Sequence, residues 1–335
     1  MADGQETLPL AISMGEPAGV GPDLILQLFS RRQELNLPPF IVYGQRDFLL
    51  HRAARLGLEV AIAETTPDAA TELFVTALPL VEVEGLVPDK PGDPSPLSGK
   101  VVIEAIALAV ADTLRGACRG VVTAPIHKAV LYGAGFKFPG HTEYLAALCA
   151  GSGPVPMPVM MIAHEDLRVV PATIHVPLAA VPGLLTRELL IGIGRIVARD
   201  LRTRHGIERP RIGFAGLNPH AGEGGTIGSE DLDIIAPAVA QLKFEQIDAE
   251  GPIAGDTLFH LPIWRRYDAV VGMYHDQALI PIKAMAFDEA VNITLGLPIV
   301  RTSPDHGTAF DLAGTGKASP NSFIAAIRLA DQLTR

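Results

Sequence analysis

The sequence predicts an α/β protein, with helices covering mostly parallel sheets and the chain divided into two lobes. Three observations carry this expectation. Short, almost continuously apolar runs rich in Val and Ile read as strands buried on both faces, as parallel strands are. Longer amphipathic segments alternate with them, the pattern of strand–helix–strand units. The chain of 335 residues also exceeds the usual size of one domain, about 100–200 residues.

Taken in order, strands are expected at 8–13, 40–43, 120–123, 159–163, 168–175, 211–215 and 269–273. Helices are expected at 22–30, 99–115, 142–150, 186–205 and 229–243. Residues 65–96, rich in Pro, Asp and Glu, read as short strands and loops. There is no internal repeat and no low-complexity tract.

Composition narrows the function classes. Hydrophobic residues make up 48% and charged residues 19%, enough for a sizeable core. The formal charge of −10 repels nucleic-acid phosphates, and no Lys/Arg run forms a compensating patch. No nucleic-acid partner is expected. The two cysteines, Cys118 and Cys149, sit in apolar helix-like stretches, which argues against a disulfide framework or a cysteine zinc site and for buried thiols in a reducing cytosol. Residues 1–4 lack the basic start and apolar run of a signal peptide. No run of about 18 apolar residues marks a membrane span, so a cytoplasmic protein is expected.

Five segments invite a chemical reading. The first, residues 14–23, reads Met-Gly-Glu-Pro-Ala-Gly-Val-Gly-Pro-Asp. It follows a strand and opens a helix, with Pro22 suited to the first helical position and Gly21 to the N-cap. It is a tight turn, or a loop whose amides face a ligand. It is not a G-x-G-x-x-G dinucleotide fingerprint.

The second is a histidine pattern. Of ten histidines, His175, His220 and His275 each fall at or just past the carboxyl end of an expected strand, where open α/β sheets bind ligands. Either they are ordinary loop residues, or they share a divalent ion and leave positions open for a substrate. His164-Glu165 begins a His-Glu-x-x-His motif, but Arg168 stands where the second histidine belongs.

The third is Phe-Pro-Gly-His-Thr-Glu at 138–143. Thr142 serves as a helix cap, or His141 and Thr142 hold an anion at the helix start. The fourth is a set of polar residues in apolar segments: Lys283, Asn292 and Arg301. Isolated cations there need an anionic partner, either a protein carboxylate or a substrate phosphate or carboxylate. The fifth is the run 305–318, dense in small residues, which suits close approach to a flat cofactor. Its Gly-Thr-Gly-Lys is not a P-loop, because Asp311 replaces the first required Gly and Ala318 the Ser/Thr.

Together these blocks resemble a known family. Gly-Glu-Pro-Ala-Gly-Val-Gly-Pro-Asp, Thr-Ala-Pro-Ile-His-Lys, Phe-Pro-Gly-His-Thr-Glu, Gly-Leu-Asn-Pro-His-Ala-Gly-Glu-Gly-Gly, Met-Tyr-His-Asp-Gln, Val-Asn-Ile-Thr-Leu-Gly-Leu-Pro and Arg-Thr-Ser-Pro-Asp-His-Gly-Thr-Ala run in order over nearly the whole chain. They resemble the 4-hydroxythreonine-4-phosphate dehydrogenases of vitamin B6 biosynthesis. The resemblance implies an NAD- or NADP-dependent homodimer with its sites shared at the interface. It implies one divalent metal per site (Zn, Co or Mg) on His175, His220 and His275, drawn from both subunits. It implies substrate contacts from His141, Thr142, Lys283, Asn292 and Arg301. Residues 306–318 also resemble the adenosine-binding loop of isopropylmalate-type β-decarboxylating dehydrogenases. Cofactor contacts are therefore expected from His306, Gly307, Thr308, Ala309, Asp311 and Gly314, in an isopropylmalate-dehydrogenase-like fold. The lobes would comprise 1–131 with 310–335, and 132–309, with the site in the cleft between them. Residues 151–158 look like a small insertion away from the site.

The expected reaction oxidises 4-phosphooxy-L-threonine to 2-amino-3-oxo-4-(phosphooxy)butanoate, which loses CO2 to give 3-amino-2-oxopropyl phosphate. Asp256 is a candidate base or a capping residue, and Asp276 a residue that orients His275. The alternative is a dehydrogenase of D-threonate or D-erythronate 4-phosphate. A relative acting on a carboxylated dihydrodiol fits Lys283 and Arg301 less well. A non-catalytic binder of phosphometabolites is the rival from another class.

Overall fold

The computed structural model describes residues 8–335; the reading of residues 1–4 lies outside the described residues. The first stretch of chain forms β1 (Leu10–Ser13), α1 (Gly21–Ser30), β2 (Phe40–Gly44), α2 (Arg46–Arg55), β3 (Ile62–Glu64), α3 (Pro67–Leu73), β4 (Leu78–Glu82), α4 (Gly99–Leu114), β5 (Val121–Thr123), α5 (Lys128–Gly133) and α6 (His141–Ala150). The second forms β6 (Val159–His164), β7 (Leu167–Pro171), α7 (Val181–Leu184), α8 (Arg187–Thr203), β8 (Arg211–Ala215), α9 (Ala236–Phe244), β9 (Asp248–Ile253), α10 (Gly255–Leu258), α11 (Leu261–Trp264), β10 (Ala269–Gly272), α12 (His275–Ala286) and β11 (Val291–Leu295). The chain ends in β12 (Arg301–Pro304) and α13 (Asn321–Leu333).

Two compact units result, one of residues 1–158 with 297–335 and one of 159–296. The strand order in the first is β3-β4-β2-β1-β5-β12, parallel throughout. In the second it is β11-β6-β7-β10-β8-β9. There β7, β10, β8 and β9 run parallel and β6 is antiparallel to both its neighbours. The fold is thus α/β with mostly parallel pairing, as the near-continuous apolar strands require. The divisions fall at 158/159 and 296/297, not at the expected 131/132 and 309/310. The physical reason is that α5 and α6 pack on α4 and β12 pairs with β5, so those segments belong to the first unit.

Local chemistry explains the element bounds. Helix α1 begins with Gly21 and Pro22 and carries Asp23 in its first turn, where a proline costs no bond and a negative charge meets the helix dipole. Thr186 caps α8 by accepting from the Leu189 N–H at 3.1 Å. The helix expected from Thr142 starts one residue earlier, and Gly140 is its N-cap, so Thr142 is not the cap. The helix expected over 229–243 opens with a wider turn at Asp231–Ile235. Pro237 lacks the N–H that would bond the Asp233 carbonyl. The strand expected to reach His175 stops at Pro171, the last residue in register with β10. Strand β4 falls within residues 65–96, where short strands are expected, whereas β3, β9, β11 and β12 do not follow from pattern; each is short or interrupted by polar residues. Cys118 is buried and Cys149 half-buried, and neither is in a disulfide. Among the described residues no helix is long and apolar enough to cross a membrane.

Candidate functional site

In the second unit the three expected metal ligands follow three adjacent strands, β7, β10 and β8. Pro171 and Gly272 are register partners, so the chain leaves both strands side by side and carries His175 and His275 a few residues further. Their ring centres lie 5.6 Å apart at 41°. Two imidazoles bound at about 2.0–2.1 Å to one tetrahedral ion would have centres roughly 5 Å apart. Both rings line a cavity of about 250 Å³ with Thr173, Val176 and Tyr274. His275 Nδ1 is 2.7 Å from Asp276 Oδ1, a contact that assigns the proton to Nδ1 and leaves the Nε2 lone pair able to accept a ligand.

His220 does not join this pair within one copy of the chain. Among the described residues no group of three or more His, Cys, Asp or Glu side chains is placed to hold a metal ion. His220 instead sits in an unusual turn after β8. His220, Ala221, Gly222, Glu223 and Gly224 all have positive φ, at 53°, 52°, 76°, 44° and 68°. Three of these are not glycine, and left-handed backbone costs roughly 1–2 kcal/mol for each such residue. Strain of this kind persists where surrounding contacts impose it. Here Asp231, fully buried, accepts from the N–H groups of Leu217 and Asn218 at 2.9 and 3.2 Å and from Asn218 Nδ2 at 2.9 Å.

Asp256, the candidate base, is on α10, which packs against the His220 turn. Its Oδ1 accepts from the N–H of the next residue, Thr257, at 2.9 Å; the N-cap of α10 is Ala254, so Asp256 is not the cap. Lys283 and Asn292 also belong to the second unit. Lys283 lies in α12 with Nζ 5.5 Å from the centre of the Phe287 ring, and Asn292 is in β11, opposite Ile162.

In the first unit, Arg301 opens β12 and is 4% exposed. Its Nε and Nη2 donate to Thr123 Oγ1 at 3.1 and 2.6 Å, and burial lowers its pKa to about 10. His141 starts α6, with Thr142 next. Burial and the Arg301 charge hold His141 well below its ordinary value of 6.5, so it is neutral at physiological pH. A neutral imidazole beside a buried guanidinium binds an anion by donating without adding a second buried charge.

The 305–316 loop is pinned to the start of α1. The Val20 N–H donates to the Thr308 carbonyl at 2.9 Å, and the Gly314 N–H to Asp23 Oδ2 at 2.6 Å. Gly19 is required here, because a Cβ would lie 2.8 Å from the Thr308 carbonyl oxygen. Arg52, fully buried, bonds Asp23 at 2.5 Å, the Pro17 carbonyl at 2.6 Å and Asp89 at 2.7 Å. Charge in an amphipathic helix gave no sequence signal for this role. Ala309 has φ 43°, and the ring of Phe310 meets His127 edge-on at 5.1 Å.

Among the described residues of this unit, the buried side-chain atoms without a hydrogen-bond partner include Ser13 Oγ, Glu16 Oε2, His127 Nδ1, His141 Nε2 and His306 Nε2. Ser13 ends β1, and Glu16, His127 and His306 follow the carboxyl ends of β1, β5 and β12, the edge at which α/β sheets bind ligands, while His141 opens α6. Unsatisfied buried polar atoms cost about 1–3 kcal/mol each and are rare in native proteins. Glu16 is 1% exposed; burial pushes its carboxyl up, against one hydrogen bond from the Ala18 N–H.

These features define an α/β enzyme whose polar groups gather beyond the carboxyl ends of its strands. The model of the family described as pyridoxal phosphate biosynthetic protein PdxA matches residues 36–330. The chain belongs to that family. A 4-hydroxythreonine-4-phosphate dehydrogenase of Xanthobacter autotrophicus is 53% identical over 326 residues, 97% of this chain and 93% of the relative. The crystal structure of a protein of that name from Klebsiella pneumoniae superposes with TM-score 0.87 at 35% identity, covering 98% of this chain and all of the other. A terephthalate 1,2-cis-dihydrodiol dehydrogenase of Burkholderia xenovorans shows 27% identity and TM-score 0.66, covering 98% of each chain.

Proposed function

We propose that the chain catalyses the NAD- or NADP-dependent, divalent-metal-dependent oxidation of 4-phosphooxy-L-threonine to 2-amino-3-oxo-4-(phosphooxy)butanoate, and that this product decarboxylates to 3-amino-2-oxopropyl phosphate. The observation that carries the reading is the His175–His275 pair in a chain 53% identical to a protein named for this activity. The donor set fits a divalent ion: the pair has the spacing of co-ligands, and His220 would complete the set, from the partner subunit of a homodimer. Exposed Leu178, Ile280 and Phe287 of the second unit support an apolar contact with a second copy. The first unit fits the nicotinamide cofactor: its strand edge has unpartnered polar atoms, and His306, Gly307, Thr308, Ala309, Asp311 and Gly314 would hold the nucleotide.

When bound, the ion would supply Lewis-acid charge beside the oxygen being oxidised, and the nicotinamide would accept the hydride. The protein's own groups do the rest. Arg301 and Lys283 place fixed positive charge against the phosphate, and Arg301 keeps its orientation through Thr123. His141, Thr142 and Asn292 add hydrogen bonds that orient the substrate. Asp256, beside the His220 turn, takes the C3 hydroxyl proton as the C3 hydride departs. The resulting β-keto acid loses CO2 because its ketone accepts the electron pair. The cell compartment proposed is the cytoplasm.

The test is NADH or NADPH formation with 4-phosphooxy-L-threonine, D-threonate 4-phosphate and D-erythronate 4-phosphate, each with Zn, Co or Mg. Preferred turnover of the first supports the proposal. Preferred turnover of either sugar acid replaces it with the alternative substrate, and no reduction of either cofactor rejects a dehydrogenase.

A further inference from the structure

We infer that Thr173, Gln277 and Asp231 are positioning residues that hold the three histidine-bearing loops in register; the inference rests on the metal reading above. The four links form one chain. Thr173, 6% exposed, is two residues before His175, and its Oγ1 donates to the Met273 carbonyl at 2.9 Å. The Met273 N–H in turn donates to Gln277 Oε1 at 2.6 Å. Gln277 Nε2 donates across to the Gly216 carbonyl, at the start of the His220 loop, at 2.8 Å. Immediately after Gly216, Asp231 takes the Leu217 and Asn218 N–H groups.

The path therefore runs from the His175 loop to His275 and on to His220 without a break. Gln277 stands third in α12, whose N-cap is Tyr274; its Oε1 reaches back to the Met273 N–H just before that cap, a helix-start contact akin to a capping box. The second contact, to another strand's loop, is not needed for capping. It ties the element bearing His275 to the one bearing His220. Asp231 fits its turn closely: a Cβ on Gly216 would lie 2.7 Å from its Oδ1, and one on Gly222 3.2 Å from its Oδ2. The carboxylate thus fixes where the left-handed run begins, and with it the direction of His220. Partners that orient metal ligands are worth about 10–100-fold in metal affinity.

The chemistry selects discriminating variants. Gln277→Glu still accepts from Met273 but, ionised, has no proton to give Gly216. Thr173→Val keeps shape and loses the donor, whereas Thr173→Ser keeps it. The full chain, stripped with a chelator, is titrated with Co2+ by calorimetry and visible absorbance, and far-UV circular dichroism reports the fold. Gln277→Glu and Thr173→Val are expected to weaken Co2+ binding about 10–100-fold with unchanged dichroism, and Thr173→Ser to bind as the unmodified chain does. Folded Gln277→Glu and Thr173→Val that bind Co2+ like the unmodified chain overturn the positioning role and leave the metal reading standing. An unmodified chain that binds no Co2+ overturns both.

Discussion

His175 and His275, a hundred residues apart in the chain, stand with ring centres 5.6 Å apart because each follows one of two strands whose ends, Pro171 and Gly272, are register partners. Parallel pairing thus converts two distant sequence positions into one local donor pair. Asp276 fixes the tautomer of the second ring. The first prediction concerns that pair. His275→Ala is expected to lower metal-dependent turnover on the order of a thousandfold, the loss that goes with several kcal/mol of charge stabilisation. Steady-state rates with added metal, beside dichroism of the folded variant, check it; an unchanged rate removes His275 from the metal.

Arg301 has a different signature. Arg301→Ala removes a charge-assisted contact worth about 1.5–3 kcal/mol, so KM for a phosphorylated substrate is expected to rise roughly 10–100-fold. KM for an unphosphorylated analogue is expected to stay near its original value. Equal changes for both substrates would place Arg301 outside the phosphate site.

Arg52 carries a structural prediction. It is fully buried and holds Asp23 and Asp89. Arg52→Met leaves Asp23 facing no cation, while Asp89 keeps Arg55 at 2.8 Å; breaking a buried pair in this way costs about 3–5 kcal/mol. Urea unfolding measures the loss. Because Asp23 also holds the Gly314 N–H, Asp23→Asn is expected to weaken NADH binding, read by fluorescence titration. Unaltered NADH affinity would separate this ion pair from the cofactor loop.

Acid stability follows from His205. Burial, with the nearby Arg168 charge, lowers its pKa from 6.5 to about 4. The unfolded chain therefore binds a proton that the native chain refuses. Stability contributed by the neutral form is complete above pH 6.5 and is lost as pH falls from there toward about 4. His205→Gln is expected to flatten the decline across that window. Thermal melts at intervals through it provide the check; parallel curves for the two proteins would assign the decline to other groups.

How much of this was legible in the sequence depended on range. Short apolar runs marked β1, β2, β5 and β8 to within two residues at either end. Arg301 and Asn292 were noticed as polar residues in apolar segments, yet β11 and β12 around them were not, because those same residues break the pattern. The placement of His175, His220 and His275 at or past strand ends came from periodicity alone. Their order in the sheet did not, since strand neighbours are set by packing rather than by local sequence. The left-handed turn at His220 was hidden as well. Its glycines signal a turn, but His220, Ala221 and Glu223 adopt positive φ against their own preference. Arg52 and Asp231 carry no sequence signal of their own; burial by segments far away in sequence gives them their roles.

The central claim is that divalent metal held by these histidines is needed to oxidise a phosphorylated hydroxy acid. The direct measurement is NADH absorbance from chelator-treated chain and 4-phosphooxy-L-threonine, before and after adding back Zn, Co or Mg. Absorbance that rises only after metal is restored, and not in His220→Ala, is the predicted result. Equal NADH production without metal, or full activity in His220→Ala, would contradict the account.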